Sequence, residues 1–248
     1  MKDSFKKVFG SKNRILVVMA HPDDTELYAG GTVARLTKEG KEVRVIKMTY
    51  GEKGCKQDDI PEAKLKKIRK KEDRTSMNIL GISDENNVYL DLGDGSVKNN
   101  METIEKVVRQ IRIFKPDLII THNPEDRIIR FDKDENWLNH RDHLHTGIIA
   151  IDAAYPYSRD ISFFPEQLKD SSLSSHSCIE FLFVDYYYHP DNVLIDITGT
   201  VDTRVRAHAA HSSQYSLEHA QDFADFFTKL PEYPKGKLFE KFRYVMAD

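Results

Sequence analysis

Arg14-Ile15-Leu16-Val17-Val18-Met19-Ala20-His21-Pro22-Asp23-Asp24 is the stretch that decides the fold. Its first part, Ile15 to Ala20, is apolar without alternation and rich in β-branched residues. A strand with one face in water would alternate, so an unbroken run predicts a strand buried on both faces, as in parallel sheets. The polar quartet His21-Pro22-Asp23-Asp24 ends it. Leu27 to Lys38 then places Val33, Leu36 and several small residues at helical spacing, with Gly40 as a C-terminal cap. Val43 to Thr49 reads as a second strand, which completes a βαβ unit.

Working outward, the alternation persists. A helix spans about Pro61 to Leu80 and stops at Gly81, a short strand covers Val88-Tyr89-Leu90, a helix covers Met101 to Phe114, and Asp117 to Thr121 is another strand. This order predicts an α/β fold, Rossmann-like and doubly wound, with a mostly parallel sheet and helices on both faces. Ligands in such sheets bind beyond the strand C-termini. The polar sets that follow the strands, His21 to Asp24, Tyr50 to Gly54, Asp91 to Asp94 and His122-Asn123-Pro124, should therefore gather at one edge. The second half is less regular: a long loop from Asn123 to Asn139, a helix from His140 to Ala154, a Ser-rich loop from Pro156 to Ser177, strands at Ile179 to Val184 and Val193 to Ile197, and a helix over Val201 to Ala210. No repeat or linker divides the chain. A single domain over 1–248 is expected, with 1–12 as a tail or short cap and 215–248 as a C-terminal extension.

Composition fits a soluble globular protein: 248 residues, 40% hydrophobic and 31% charged, with 37 basic against 40 acidic side chains. Disordered, collagen-like and coiled-coil classes are excluded. A net charge of -3 creates no general attraction for nucleic acid or an anionic membrane, and neither partner is expected. The basic run Lys64 to Lys71 reads as a solvated helix face. The first apolar run falls far short of the roughly 20 residues of a membrane span. Cys55 and Cys178 belong to no CxxC or Cys/His cluster, so a disulfide framework is excluded and a reducing cytoplasm is the expected location.

The chemistry lies in two clusters. A histidine and two acids in a turn after a buried strand offer zinc ligands, although either Asp23 or Asp24 could instead cap the next helix. In the second cluster, Asn139 to His145, His140 and His143 are three apart and share a helical face. A catalytic zinc site takes three protein ligands and keeps one position open, a set that His21, Asp24 and His143 would supply.

These residues carry a family resemblance. Ala20-His21-Pro22-Asp23-Asp24-Thr25-Glu26 resembles the AHPDDxE motif of the LmbE-like, or PIG-L, zinc deacetylases, and His140-Arg141-Asp142-His143 resembles their HxDH motif. Thr49 to Gly54 is similar to TRGExG, Arg69 to Glu72 to RxxE, Asp196-Ile197-Thr198 to DIT, and His211 to Gln214 to HxSQ. The likeness runs from about Ile15 to Gln214. Tyr50 stands where Arg is common, and Arg204 where Lys is usual.

The resemblance implies that His21, Asp24 and His143 bind zinc, or another divalent ion such as ferrous iron, and that Asp23 is the general base. His140, protonated, would stabilise the oxyanion, and Asp142 would orient that imidazole and favour its charge. The implied substrate is an N-acetylglucosamine-type conjugate that loses acetate, and the implied assembly is a homo-oligomer, a trimer or hexamer. Arg69, Asp94 and Glu52 are candidates for sugar hydroxyls; their alternatives are a cation on a Lys-rich helix, an Asx turn and a loop support. Tyr186 to His189 would wall the sugar pocket or alternate between core and surface. His211 suits a helix C-terminal cap and is left out of catalysis, while His145, His208 and His219 read as solvent-facing or packed. Glu125 to Leu138 reads as a lid, a rim or an exposed polar loop. Two competing readings are a zinc hydrolase of another amide or ester, and a non-catalytic nucleotide- or sugar-binding module resting on Gly30-Gly31 alone.

Overall fold

The computed structural model describes residues 2–54, 60–132, 134–229 and 233–247, and Cys55 lies outside them. The elements are α1 (Phe5–Phe9), β1 (Arg14–Met19), α2 (Asp24–Lys38), β2 (Glu42–Lys47), α3 (Glu62–Ile79), β3 (Asn87–Tyr89), α4 (Met101–Phe114), β4 (Leu118–Thr121), β5 (Ile128–Arg130), β6 (Asn136–Leu138), α5 (Arg141–Asp152), β7 (Glu180–Phe183), β8 (Asn192–Asp196), α6 (Val201–Ala209), α7 (Leu217–Thr228) and β9 (Phe239–Met246).

The seven-stranded sheet has the order β3-β2-β1-β4-β7-β9-β8. The first five strands are parallel, and Val17 of β1 stands between Val45 of β2 and Ile120 of β4. Both faces are covered, which is why β1 shows no polar alternation. Ile15, Val17 and Met19 pack with α1, α2 and α6, while Leu16 and Val18 pack with α4 and α5. Chain order reverses between β1 and β4, so the crevice for a ligand opens beyond those two strands.

Helix α4 illustrates how local sequence sets an element. Asn100 caps it by accepting from Thr103 N, and Lys115 ends it in the left-handed conformation, just before Pro116. Ile104, Val107, Ile111 and Phe114 are buried along one face, each contributing roughly 1.5–3 kcal/mol. Arg112, also buried, donates to the carbonyls of Tyr157 and Phe163 at 3.0 and 2.9 Å, fixing a stretch that the sequence shows only as a Ser-rich loop.

Three segments carry structure that the sequence reading left open. Residues 5–9 form a helix whose Phe5, Val8 and Phe9 are in the core, not a tail. The 125–138 segment contains the antiparallel hairpin β5-β6, with Ile129, Phe131 and Trp137 packed on Tyr187 and Phe227. The 215–248 extension supplies α7 and β9, and β9 enters the sheet antiparallel between β7 and β8.

Candidate active site

The turn after β1 is set by one backbone choice. Asp23 adopts φ 94° and ψ -27°, a left-handed conformation that aspartate tolerates better than most residues. This turns the two neighbouring carboxylates apart. Asp23 Oδ2 meets Arg69 Nη2 at 2.6 Å, whereas Asp24 Oδ2 accepts from His21 N at 2.8 Å and lies 3.4 Å from His21 Nδ1. Helix α5 brings the second cluster to the same place. His143 Nε2 is 3.2 Å from Asp24 Oδ1, and the His21 ring centroid lies 5.3 Å from that of His143 and 4.9 Å from that of His140. Three of the four strand-end sets gather, since His21, Asp23, Lys53 and Asp94 line, together with His140 and His143 of the second cluster, a cavity of about 520 Å³; of the fourth set, His122 lies against Asp24.

The donor set fits a divalent cation. Ligand atoms of His21, His140 and His143 lie within 4.8 Å of one another, as do those of Asp24, His122 and His143. Burial opposes charge on His21, but Asp142, Asp24 and Asp94 outweigh it and hold the imidazole well above its usual pKa. Such surroundings stabilise positive charge, whether a proton or a metal supplies it. Burial likewise opposes the Asp24 carboxylate, yet His143 and His122 keep it well below the ordinary carboxylate range. For Asp23 the balance goes the other way: burial raises its pKa and Arg69 only partly offsets this.

Several expected roles change. Asp142 does not hold the His140 ring with its carboxylate, which instead accepts from Gly95 N at 2.7 Å and Val97 N at 3.2 Å and lies 3.5 Å from His21 Nε2. The backbone N–H of Asp142 reaches His140, donating to Nδ1 at 3.2 Å. That bond leaves Nε2 as the N–H of a neutral ring. His140 is also not favoured as a cation, since burial and then the charges of His21 and His143 lower its pKa.

Arg69 is buried, and its Nη groups are engaged inside the protein with Gly51 O at 2.8 Å, Pro22 O at 2.6 Å and Asp23; among the described residues Nε has no hydrogen-bond partner. It clamps the turn after β1 instead of standing free on a Lys-rich helix. Asp94 lines the cavity, but its oxygens face His21 Nε2 at 3.2 Å and Lys53 N at 2.9 Å. Glu52 does not line the cavity; its Oε1 accepts from Asp94 N at 2.9 Å and so supports that loop. His211 directly follows the C-terminal end of α6, as expected, and is fully buried there with Nε2 3.2 Å from Glu26 Oε1. The Glu26 carboxylate, which also accepts from Ser76 Oγ, is held down to about 2, because His211 and other partners overcome its burial. Tyr186 to His189 line a separate cavity of about 320 Å³ with Glu125 and Arg130.

Two residues lacked an assignment from sequence. His122 is buried, its ring stacked 4.0 Å from that of His143 with Nε2 3.2 Å from Asp24 Oδ2; its place directly after β4 was the available signal. Tyr215 lines the cavity behind the HxSQ segment, and no pattern marks it.

A cluster of His and Asp side chains that could hold a cation thus lies at the switch point of a doubly wound α/β sheet. The chain belongs to the PIG-L family: residues 16–154 match its profile, described as GlcNAc-PI de-N-acetylase. Diacetylchitobiose deacetylase of Thermococcus kodakarensis is 28% identical over 215 residues, covering 84% of this chain and 72% of that protein. 4-Oxalmesaconate hydratase of Pseudomonas putida is 29% identical over 116 residues, 45% of this chain and 44% of that protein. In fold, the N,N'-diacetylchitobiose deacetylase structure from Pyrococcus horikoshii superimposes with a TM-score of 0.81 at 24% identity, covering 98% of this chain and 87% of that one.

Proposed function

We propose that this protein is a metal-dependent N-deacetylase that hydrolyses the acetamide of an N-acetylglucosamine-type sugar conjugate, giving the free amine and acetate. The observation that carries the reading is the convergence of His21, Asp24 and His143 in one cavity with Asp23 turned to its other side. Those three side chains would hold zinc, or another divalent ion such as ferrous iron. Bound there, the ion supplies Lewis-acid polarisation of the amide carbonyl and makes water a stronger acid.

The chain's own residues do the rest. Asp23 accepts the proton of the attacking water, and its raised pKa makes it a better base than a free carboxylate. Arg69 keeps that carboxylate in place. His140 donates Nε2–H to the developing oxyanion as a neutral imidazole, a role its Nδ1 bond to Asp142 N supports. Asp23 then returns its proton to the departing amine. Asp94, Lys53, Gln214 and Tyr215 wall the cavity and are the proposed contacts for the sugar. The family description and the diacetylchitobiose deacetylase relative support the acetamido-sugar class. Among the described residues no helix is long and apolar enough to cross a membrane.

The test is metal analysis of the purified protein together with amine and acetate release from N-acetylglucosamine, diacetylchitobiose and an N-acetylglucosaminyl inositol. Release from any of them supports the reading. Metal uptake without release overturns the substrate class. The hydratase relative favours one alternative outcome, loss of ultraviolet absorbance from an unsaturated tricarboxylate of the oxalmesaconate type with no amine formed.

A further inference from the structure

A buried ion pair enters the hydrogen-bond ladder of α2 just behind the catalytic turn. Arg204 of α6 and Glu240 of β9 are 1% and 2% exposed, with Arg204 Nη1 3.3 Å from Glu240 Oε1. Arg204 donates through Nε to Glu26 O at 3.0 Å and through Nη2 to Leu27 O. Glu240 accepts from Gly31 N at 2.8 Å and from Thr32 N at 2.7 Å. In an uninterrupted helix the Leu27 carbonyl would accept from Gly31 N. Here both members of that rung bond to the ion pair, and Thr200 Oγ1 donates to Gly31 O at 2.8 Å.

The sequence makes room for this arrangement. A Cβ on Gly30 would stand 2.9 Å from Arg204 Cγ, and one on Gly31 would stand 2.6 Å from Ile197. The glycine pair therefore serves close packing of α6 and the sheet against α2, and not a phosphate.

We propose that Arg204 and Glu240 are positioning residues for the metal centre: they set the placement of the first turn of α2, and with it Asp24, so that strand β9 is part of the catalytic apparatus. The proposal rests on the reading of Asp24 as a metal ligand. Neither residue lines the catalytic cavity, so neither touches substrate. The geometry requires a donor at 204, facing two carbonyls, and an acceptor at 240, facing two N–H groups. A simple ion pair would work in either orientation.

The experiment compares wild type with Arg204→Met, Glu240→Gln and the reversed double variant Arg204→Glu/Glu240→Arg. Cobalt(II) affinity is read by its visible absorbance, folding by circular dichroism, and kcat and KM by amine release. Each folded variant is expected to bind cobalt at least tenfold more weakly and to lose kcat with KM within about twofold, and the reversed pair is not to recover either. Should Arg204→Met not fold, Arg204→Lys and the isosteric Glu240→Gln give the same reading. Folded variants with wild-type cobalt affinity, or recovery in the reversed pair, overturn the proposal. A wild-type protein that takes up no metal overturns the underlying functional reading instead, whereas cobalt binding that weakens in the variants without any amine release upholds the positioning role while removing the substrate assignment.

Discussion

Arg69 holds Asp23 from a helix 46 residues further along the chain, with Nη2 2.6 Å from the carboxylate and 2.6 Å from the Pro22 carbonyl just before it. One guanidinium thus holds both the side chain of the left-handed residue and the peptide carbonyl that precedes it in the turn after β1. Arg69→Met would leave a buried carboxylate uncompensated, a change that costs about 3–5 kcal/mol when a buried partner is removed. Arg69 lowers the Asp23 pKa, so its loss raises it. Because the proposed base would work deprotonated, the acid limb of kcat/KM should move to higher pH. Urea unfolding and a pH–rate profile check both, and an unmoved acid limb in a folded variant counts against the clamp.

Asp23→Asn and His143→Ala should separate base from ligand. The first keeps the size of the side chain and the three candidate ligands, so it should retain metal while kcat falls by about 10²–10⁴, the usual share of a general base. The second removes a ligand and should lose metal first. Elemental analysis beside initial rates distinguishes them; full activity in Asp23→Asn would assign the base elsewhere.

Lys47 and Asp73 are fully buried and 2.9 Å apart, and Asp73 also accepts from Asn87 Nδ2 at 2.8 Å and from Tyr89 Oη. Lys47→Met is predicted to destabilise the fold by about 3–5 kcal/mol, since it strands the carboxylate beneath β2 and β3. Denaturant midpoints measure this. A double variant Lys47→Met/Asp73→Leu should recover part of the loss.

Cys178 is 3% exposed, and burial pushes its thiol up to about 12 from the ordinary value of 9.0. The folded state keeps this proton where the unfolded chain releases it. Its contribution to stability is therefore complete below pH 9 and is lost as pH rises from there toward 12. Peptide mapping after alkylation at pH 8 should find Cys178 unmodified in the native protein and modified in urea. Cys178→Ser should flatten the alkaline fall in stability.

The parallel half of the sheet and the location of the cavity were legible in the sequence because both rest on local regularities. A strand covered on both faces leaves an unbroken apolar run such as Ile15 to Ala20, and a helix leaves spacing and caps such as those around α4. Motif residues at strand ends fall at one edge once the sheet is parallel, which placed His21 and the turn to Asp24, and the first turn of α5 brings His143 to them. The later elements left weaker marks. Strand β9 (Phe239–Met246) alternates only partly, and its place between β7 and β8 depends on partners more than 40 positions away in sequence.

What the sequence determined by itself was the class of fold, the His21–Asp24 turn and the histidines that meet it, since each is written within a few consecutive residues. Tertiary structure alone decided how every polar atom is used. Arg69 clamps Asp23, Asp142 serves His21 and the 95–97 backbone, His211 pairs with Glu26, and Arg204 and Glu240 enter a helix ladder. The physical reason is burial. Most polar groups removed from water take a partner at hydrogen-bond distance, and which partner stands there depends on the packing of segments far apart in the chain.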